Sequence, residues 1–188
     1  MKVYETGAFP EWKQERKQKN RKAPYLCAIL SVIPKEHTII DLGASTGTYV
    51  ELLRENGYTV IGIDGTPKIE EITKGLVKHT DLAKNCSHLY DCSDWAIFVE
   101  VGEHIPKKYE TKLLDNLCKI PKIGLIVIWG PIGCPGFCHV NCREPEYVVE
   151  AIEKRGWKLS LRLTRKFRKR TRRKVRRSVL VFLRNKIT

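Results

Sequence analysis

Between Ile39 and Leu52 the sequence reads IIDLGASTGTYVEL, an apolar run joined to an amphipathic helical pattern through an acidic residue and two glycines. A strand that turns this abruptly into a helix needs backbone freedom, and bare glycines also let a ligand lie close against the main chain. Short apolar runs go on alternating with helical patterns, which predicts a parallel sheet covered by helices on both faces. Strands are expected near Thr38–Leu42, Thr59–Asp64, Trp95–Val101 and Gly124–Gly130.

Local punctuation marks the helices. A helix over Thr46–Asn56 carries Tyr49, Val50, Leu52 and Leu53 and stops at Gly57, where a left-handed cap costs little. Thr66 and Pro67 form an N-cap and first-turn pair for the next helix. Pro106 opens a helix with Tyr109, Leu113, Leu114, Leu117 and Ile120 on one face, and Pro121 ends it. Glu144–Arg155 is another, terminated by Gly156. The pattern then turns β-rich in WKLSLRLTRKF and RRSVLVFLRN, read as a hairpin joined at a basic run, with alternation from Leu159 to Phe167 continuing a strand.

That basic run, RKFRKRTRRKVRR from Arg165 to Arg177, holds ten of the cations behind a net charge of +14, so the rest of the chain carries 14 − 10 = +4. A second basic run spans Lys13 to Lys22. Both could meet a polyanion. No apolar run approaches the roughly 18 residues of a membrane span, and the N-terminus lacks the apolar region of a secretory signal. Seven cysteines without a disulfide framework fit a reducing compartment. An intracellular protein, cytoplasmic or nuclear, with no membrane partner is expected.

From about Ile39 onward the order of elements resembles the class I S-adenosylmethionine-dependent methyltransferases. In that family the first strand ends in an acidic residue followed by a G-x-G-x-G loop; here DLGASTG supplies Asp41, Gly43 and Gly47, with Ser45 at the middle glycine. The second strand ends in Asp64, 64 − 41 = 23 positions later, where a carboxylate can accept both ribose hydroxyls. KHTDLAK offers Asp81, which matches the family's acidic residue for the adenine amino group, with Leu82 beside the ring. A dinucleotide-dependent oxidoreductase is the rival, but GASTGTYV lacks the final small residue of G-x-G-x-x-G.

The resemblance implies a Rossmann-like α/β fold: a seven-stranded, mostly parallel sheet with helices on both faces and an antiparallel C-terminal hairpin. Residues 1–37 are then a basic and helical segment packed on the core, and 38–188 the methyltransferase domain with its basic hairpin at about 165–177. It also implies that Asp41, Gly43, Ala44, Ser45, Gly47, Asp64, Gly65, Asp81, Leu82 and Glu100 contact S-adenosylmethionine.

After the fourth strand, EVGEHIP places Glu100, Glu103 and His104, and the segment resembles the E-x-x-E-H of small-molecule O-methyltransferases. GPIGCPGFCHVNCREPEYV adds His139 and Asn141 beyond the fifth strand. Glu100, Glu103, His104 and His139 together resemble the metal site of the 2′-O-methyltransferases that modify the 3′ ends of small RNAs. That likeness implies a divalent ion held by two carboxylates and two imidazoles, a set that suits Mn²⁺, Mg²⁺, Fe²⁺ or Co²⁺. Without a metal, His104 or His139 is a general base for an O–H or N–H acceptor. Cys134, Cys138 and Cys142, four apart, are read as free thiols, because a structural zinc site uses two separated knuckles.

Two classes of function stay open. One is a methyltransferase acting on an oxygen or nitrogen nucleophile, with a small hydroxylated molecule, RNA or a protein as acceptor. The other is a non-catalytic protein of the same fold that binds RNA or another polyanion through Arg165–Arg177. That run is equally a solvated or nuclear-import segment on its sequence.

Overall fold

The computed structural model describes residues 4–8 and 23–185. Helix α1 (Leu26–Val32) precedes β1 (Ile39–Leu42), α2 (Thr48–Glu55), β2 (Val60–Asp64), the short α3 (Ile69–Ile72) and β3 (Val77–His79). Then come β4 (Ser93–Val99), α4 (Glu110–Lys119), β5 (Pro121–Ile128), α5 (Pro145–Glu153), β6 (Trp157–Leu159), α6 (Leu161–Arg168) and β7 (Val179–Arg184). The seven strands form one sheet in the order β3-β2-β1-β4-β5-β7-β6. Strands β1 to β5 run parallel, while β7 lies antiparallel between β5 and β6.

Adjacent residues of the central strands feed opposite faces, as the pleat requires. Ile40, Leu42, Phe98, Leu125 and Val127 pack with Leu113 and Leu117 of α4 and Ile152 of α5. Ile39, Ile97, Ile126 and Val181 pack on the other face with Ile29 of α1, Val50 and Leu53 of α2, and Phe167 of α6. Both faces are therefore closed, and ligands can reach the sheet only at its edges and ends. Helix α1 packs on the second of these faces, and the basic run Lys13–Lys22 lies outside the described residues.

The four strands read from the sequence are present with bounds shifted by up to three residues. The antiparallel pairing of β6 with β7 is as expected, and the stretch between them is the correction. Leu161–Arg168 forms a helix, not a strand, and Arg173–Ser178 a 3₁₀ segment, so β6 and β7 pair across a long connection. The Ser160 hydroxyl accepts from the Leu163 N–H and caps α6, which buries Leu163, Thr164 and Phe167. Alternation at Leu159, Leu161 and Leu163 mimics a strand, yet the i, i+4 pair Leu163 and Phe167 decides the packing, and Leu161 is left exposed. The basic run thus lies along a helix and a 3₁₀ segment packed on the domain, not on a protruding hairpin tip.

Candidate active site

The strand order reverses between β1 and β4, and a cavity of about 330 Å³ opens there at the carboxyl ends of the strands. It is lined by Asp41, Gly43, Ala44 and Ser45 after β1, by Asp64 and Gly65 after β2, and by Asp81 and Leu82 after β3. Gly43 (φ +83°) turns the chain and lies so close to Val101 that a Cβ would stand 2.5 Å from it. Gly47 (φ +81°) is not part of the lining; it lets the start of α2 close on Leu76 and Val77.

The loops themselves orient the carboxylates. Asp64 accepts the Ser45 N–H on Oδ2 and the Thr66 N–H on Oδ1, each at 2.8 Å. Asp81 accepts the Ala83 N–H at 2.9 Å. A carboxylate has about four acceptor positions, so each keeps capacity for a ligand hydroxyl or amino group. Asp41 differs: it is 3% exposed and its Oδ2 has no hydrogen-bond partner. Burial, with the Asp64 charge behind it, pushes its carboxyl up to about 8.

Part of the wall comes from residues no sequence signal marked. Thr6, Gly7, Ala8, Pro24 and Tyr25 line the same cavity. Gly7 lies against the His104 carbonyl, and the Glu5 carboxylate accepts from Lys108 Nζ and the Tyr109 hydroxyl, both at 2.7 Å. The Tyr25 hydroxyl donates to Glu100 Oε1 at 2.8 Å, and burial followed by the Glu100 charge pushes that phenol up, so it remains a donor.

A second cavity, about 380 Å³, shares Glu100 and His104 with the first. Its other walls include Glu103, Trp129, the loop residues Cys134, Phe137 and His139, and Val175 and Ser178 of the 3₁₀ segment. Glu103 is 1% exposed and its Oε2 has no hydrogen-bond partner. One ligand atom each from Glu103, His104 and His139 lie within 4.8 Å of one another. His104 Nδ1 lies 3.3 Å from the Cys138 carbonyl and His139 Nδ1 3.0 Å from the Cys134 carbonyl. A carbonyl only accepts, so Nδ1 of each ring is the donor, and in the neutral tautomer this leaves the lone pair on Nε2.

A buried, unsatisfied carboxylate oxygen beside two such imidazoles fits a divalent cation of the borderline kind. Glu100, the fourth residue of the expected set, lies outside this cluster and is engaged by Tyr25. Among the described residues no cysteine joins a cluster of three ligands. Burial first, and the Glu103 carboxylate next, push the Cys134 and Cys142 thiols up, which keeps them protonated. The loop that carries His139 is held by the Glu103 carbonyl, which accepts from the Val140 and Asn141 N–H groups, and by Arg143 Nε on Glu110 at 2.6 Å.

No protein-family model and no curated relative matches the sequence. Solved structures do match its fold. A S-adenosylmethionine-dependent methyltransferase from Methanosarcina mazei aligns with a TM-score of 0.62 at 14% identity, over 84% of this chain and 96% of its own. Magnesium protoporphyrin IX methyltransferase from Synechocystis, with SAH bound, aligns at 0.62 and 16% identity over 93% and 83%. The [4+2]-cyclase SpnF aligns at 0.57 and 14% identity over 91% and 80%, so the fold alone does not dictate the chemistry. With its seven-stranded sheet, antiparallel β5-β7-β6 end and glycine loop after β1, the chain has the fold of the class I S-adenosylmethionine-dependent methyltransferases.

Proposed function

We propose that the chain is a S-adenosylmethionine-dependent methyltransferase that transfers the sulfonium methyl to an oxygen or nitrogen nucleophile, in the form of metal-assisted O-methylation. One observation carries this reading: a cavity lined by Asp41, Asp64 and Asp81 meets a cavity lined by Glu103 and His139 across a shared wall of Glu100 and His104.

Methyl transfer is an in-line displacement. An acceptor lone pair forms the new bond to the methyl carbon as the carbon–sulfur bond breaks, leaving a neutral thioether. The protein's main contribution is to hold donor and acceptor on that line and keep water out. The loops after β1, β2 and β3 hold the nucleoside end of the donor, and the shared wall is where the methyl and the acceptor would meet. The acceptor also loses a proton: with no ion bound, the Nε2 lone pair of a neutral His104 or His139 can take it, and with an ion bound those lone pairs are occupied and the proton passes to water. A divalent ion held by Glu103, His104 and His139 would act as a Lewis acid and lower the pKa of a hydroxyl acceptor.

Calorimetric titration of wild type and Asp64→Ala with S-adenosylmethionine and with its demethylated product tests the cofactor. Loss of hydrogen bonds to a charged carboxylate should cost about 1.5–3 kcal/mol, roughly a 10- to 150-fold weaker affinity. Equal affinity in the two proteins, or tighter binding of a nicotinamide dinucleotide, would overturn the assignment.

A further inference from the structure

Arg173–Ser178 is a 3₁₀ segment, in which residues three apart share a face. Val175 and Ser178 make such a pair and form part of the acceptor cavity's wall. Three positions earlier stands Arg172, exposed, its carbonyl accepting from the Val175 N–H. An exposed cation therefore immediately precedes the segment that walls the cavity. Upstream, α6 buries Leu163 and Phe167 and leaves Arg162, Arg165, Lys166, Lys169 and Arg170 exposed.

Among the described residues, little neutralises this track. No Asp or Glu follows Glu153 in the sequence. Among the described residues, Arg177 pairs with Glu144 and Glu146, while the exposed cations of α6, and Arg172 and Arg173, pair with no carboxylate. One small anion could satisfy two or three of them. Cations spread over two consecutive elements call for a row of anionic groups, and their close spacing costs self-repulsion until such a row is bound.

Resting on the methyltransferase reading, we infer that the acceptor is carried on a single-stranded nucleic acid, whose phosphodiester backbone lies along α6 and the 3₁₀ segment and whose reacting unit enters the cavity past Val175 and Ser178. The aromatic residue of the run, Phe167, is fully buried, so the track offers phosphate contacts and no base stacking. Binding is therefore indifferent to sequence. A paired duplex cannot place one nucleotide inside a walled cavity without unpairing it, which selects a single strand.

The probe is a labelled single-stranded oligoribonucleotide, followed by fluorescence anisotropy across a salt series without cofactor. Wild type should lose affinity with a log–log slope of roughly 0.7 per phosphate contacted. Replacing Arg165, Lys166, Lys169, Arg170, Arg172 and Arg173 together by serine should lower that slope by up to about 4 and leave the affinity for S-adenosylhomocysteine unchanged. Should the sixfold variant fail to fold, the pairs Arg165→Ser with Lys169→Ser and Arg172→Ser with Arg173→Ser should each lower the slope by about 1.4. Binding that ignores salt or survives these changes would overturn the inference. So would a duplex bound as tightly as the single strand, or phosphatidylserine vesicles bound in place of the strand. A wild type that grips RNA but binds no S-adenosylhomocysteine would count against methyl transfer, not against the strand.

Discussion

The two cavities are built by different means. The first is made of strand ends: backbone N–H groups already hold Asp64 and Asp81, and the chain turns at Gly43 to leave space. The second is made of loops, with a donor cluster from the turn after β4 and the loop after β5, and a side wall from the 3₁₀ segment before β7. Each nonetheless keeps one buried carboxylate oxygen without a partner, Asp41 Oδ2 in the first and Glu103 Oε2 in the second. An unsatisfied buried acid is costly, and a cation is what would relieve it. On the proposed function, the positive charges of the methyl donor would serve the first and a metal ion the second.

The pH dependence of stability tests the Asp41 half most severely. Burial pushes its folded carboxyl up to about 8, from an ordinary 3.8, so the folded state holds this proton more tightly than the unfolded chain does. The corresponding stability is fully present below about pH 4 and is lost as pH rises toward 8. Asp41→Asn removes that slope. Denaturant titrations from pH 4 to pH 8 should show the variant gaining on wild type by an amount on the order of a few kcal/mol, most of it abolished by saturating S-adenosylmethionine. A constant gap across that range would show that Asp41 is ionised in the free protein.

The metal half should respond next most strongly. At a Mn²⁺ concentration of about 100 times the dissociation constant, a bound ion adds about 2.7 kcal/mol to stability and raises the melting temperature. His139→Ala and Glu103→Gln should each remove that rise without altering affinity for S-adenosylhomocysteine. No shift with any divalent ion would reduce the second cavity to a metal-free base site.

Tyr25 lies on the boundary and separates the halves least. Tyr25→Phe deletes the hydroxyl that holds Glu100, a contact expected to contribute about 1 kcal/mol. The expected result is a modest loss of cofactor affinity, roughly fivefold, with the Mn²⁺ response intact. Loss of both responses together would mean that Glu100 serves the two cavities as one site.

The lining of the first cavity was legible because the sequence there is punctuated: a carboxylate at or just after each of three strand ends and a glycine at a sharp turn. Glu103, His104 and His139 were legible as residue types, but their meeting depends on the Glu103 carbonyl pulling in Val140 and Asn141, a long-range pairing that no spacing encodes. Trp129 stacks where a Cβ on Gly102 would be, 2.3 Å away, so that glycine marks a packing requirement seen only in three dimensions. Tyr25 follows a proline in an unpatterned stretch and gave no sign of facing Glu100. At α6 two periods competed, and the Ser160 cap that settles the matter was readable but outweighed by the alternating leucines.

Strand β7 lies between β5 and β6 although it follows both in the chain. During synthesis, β5 is thus exposed along one edge until more than fifty residues further on have left the ribosome, 179 − 128 = 51. Open edges of apolar strands invite pairing with other chains, and such distant pairing forms slowly. The cations of α6 and the 3₁₀ segment emerge just before β7 and give the chain that leads into that late strand a single sign of charge. They can keep nascent copies apart during the interval in which the sheet is incomplete, a duty to solubility separate from any ligand.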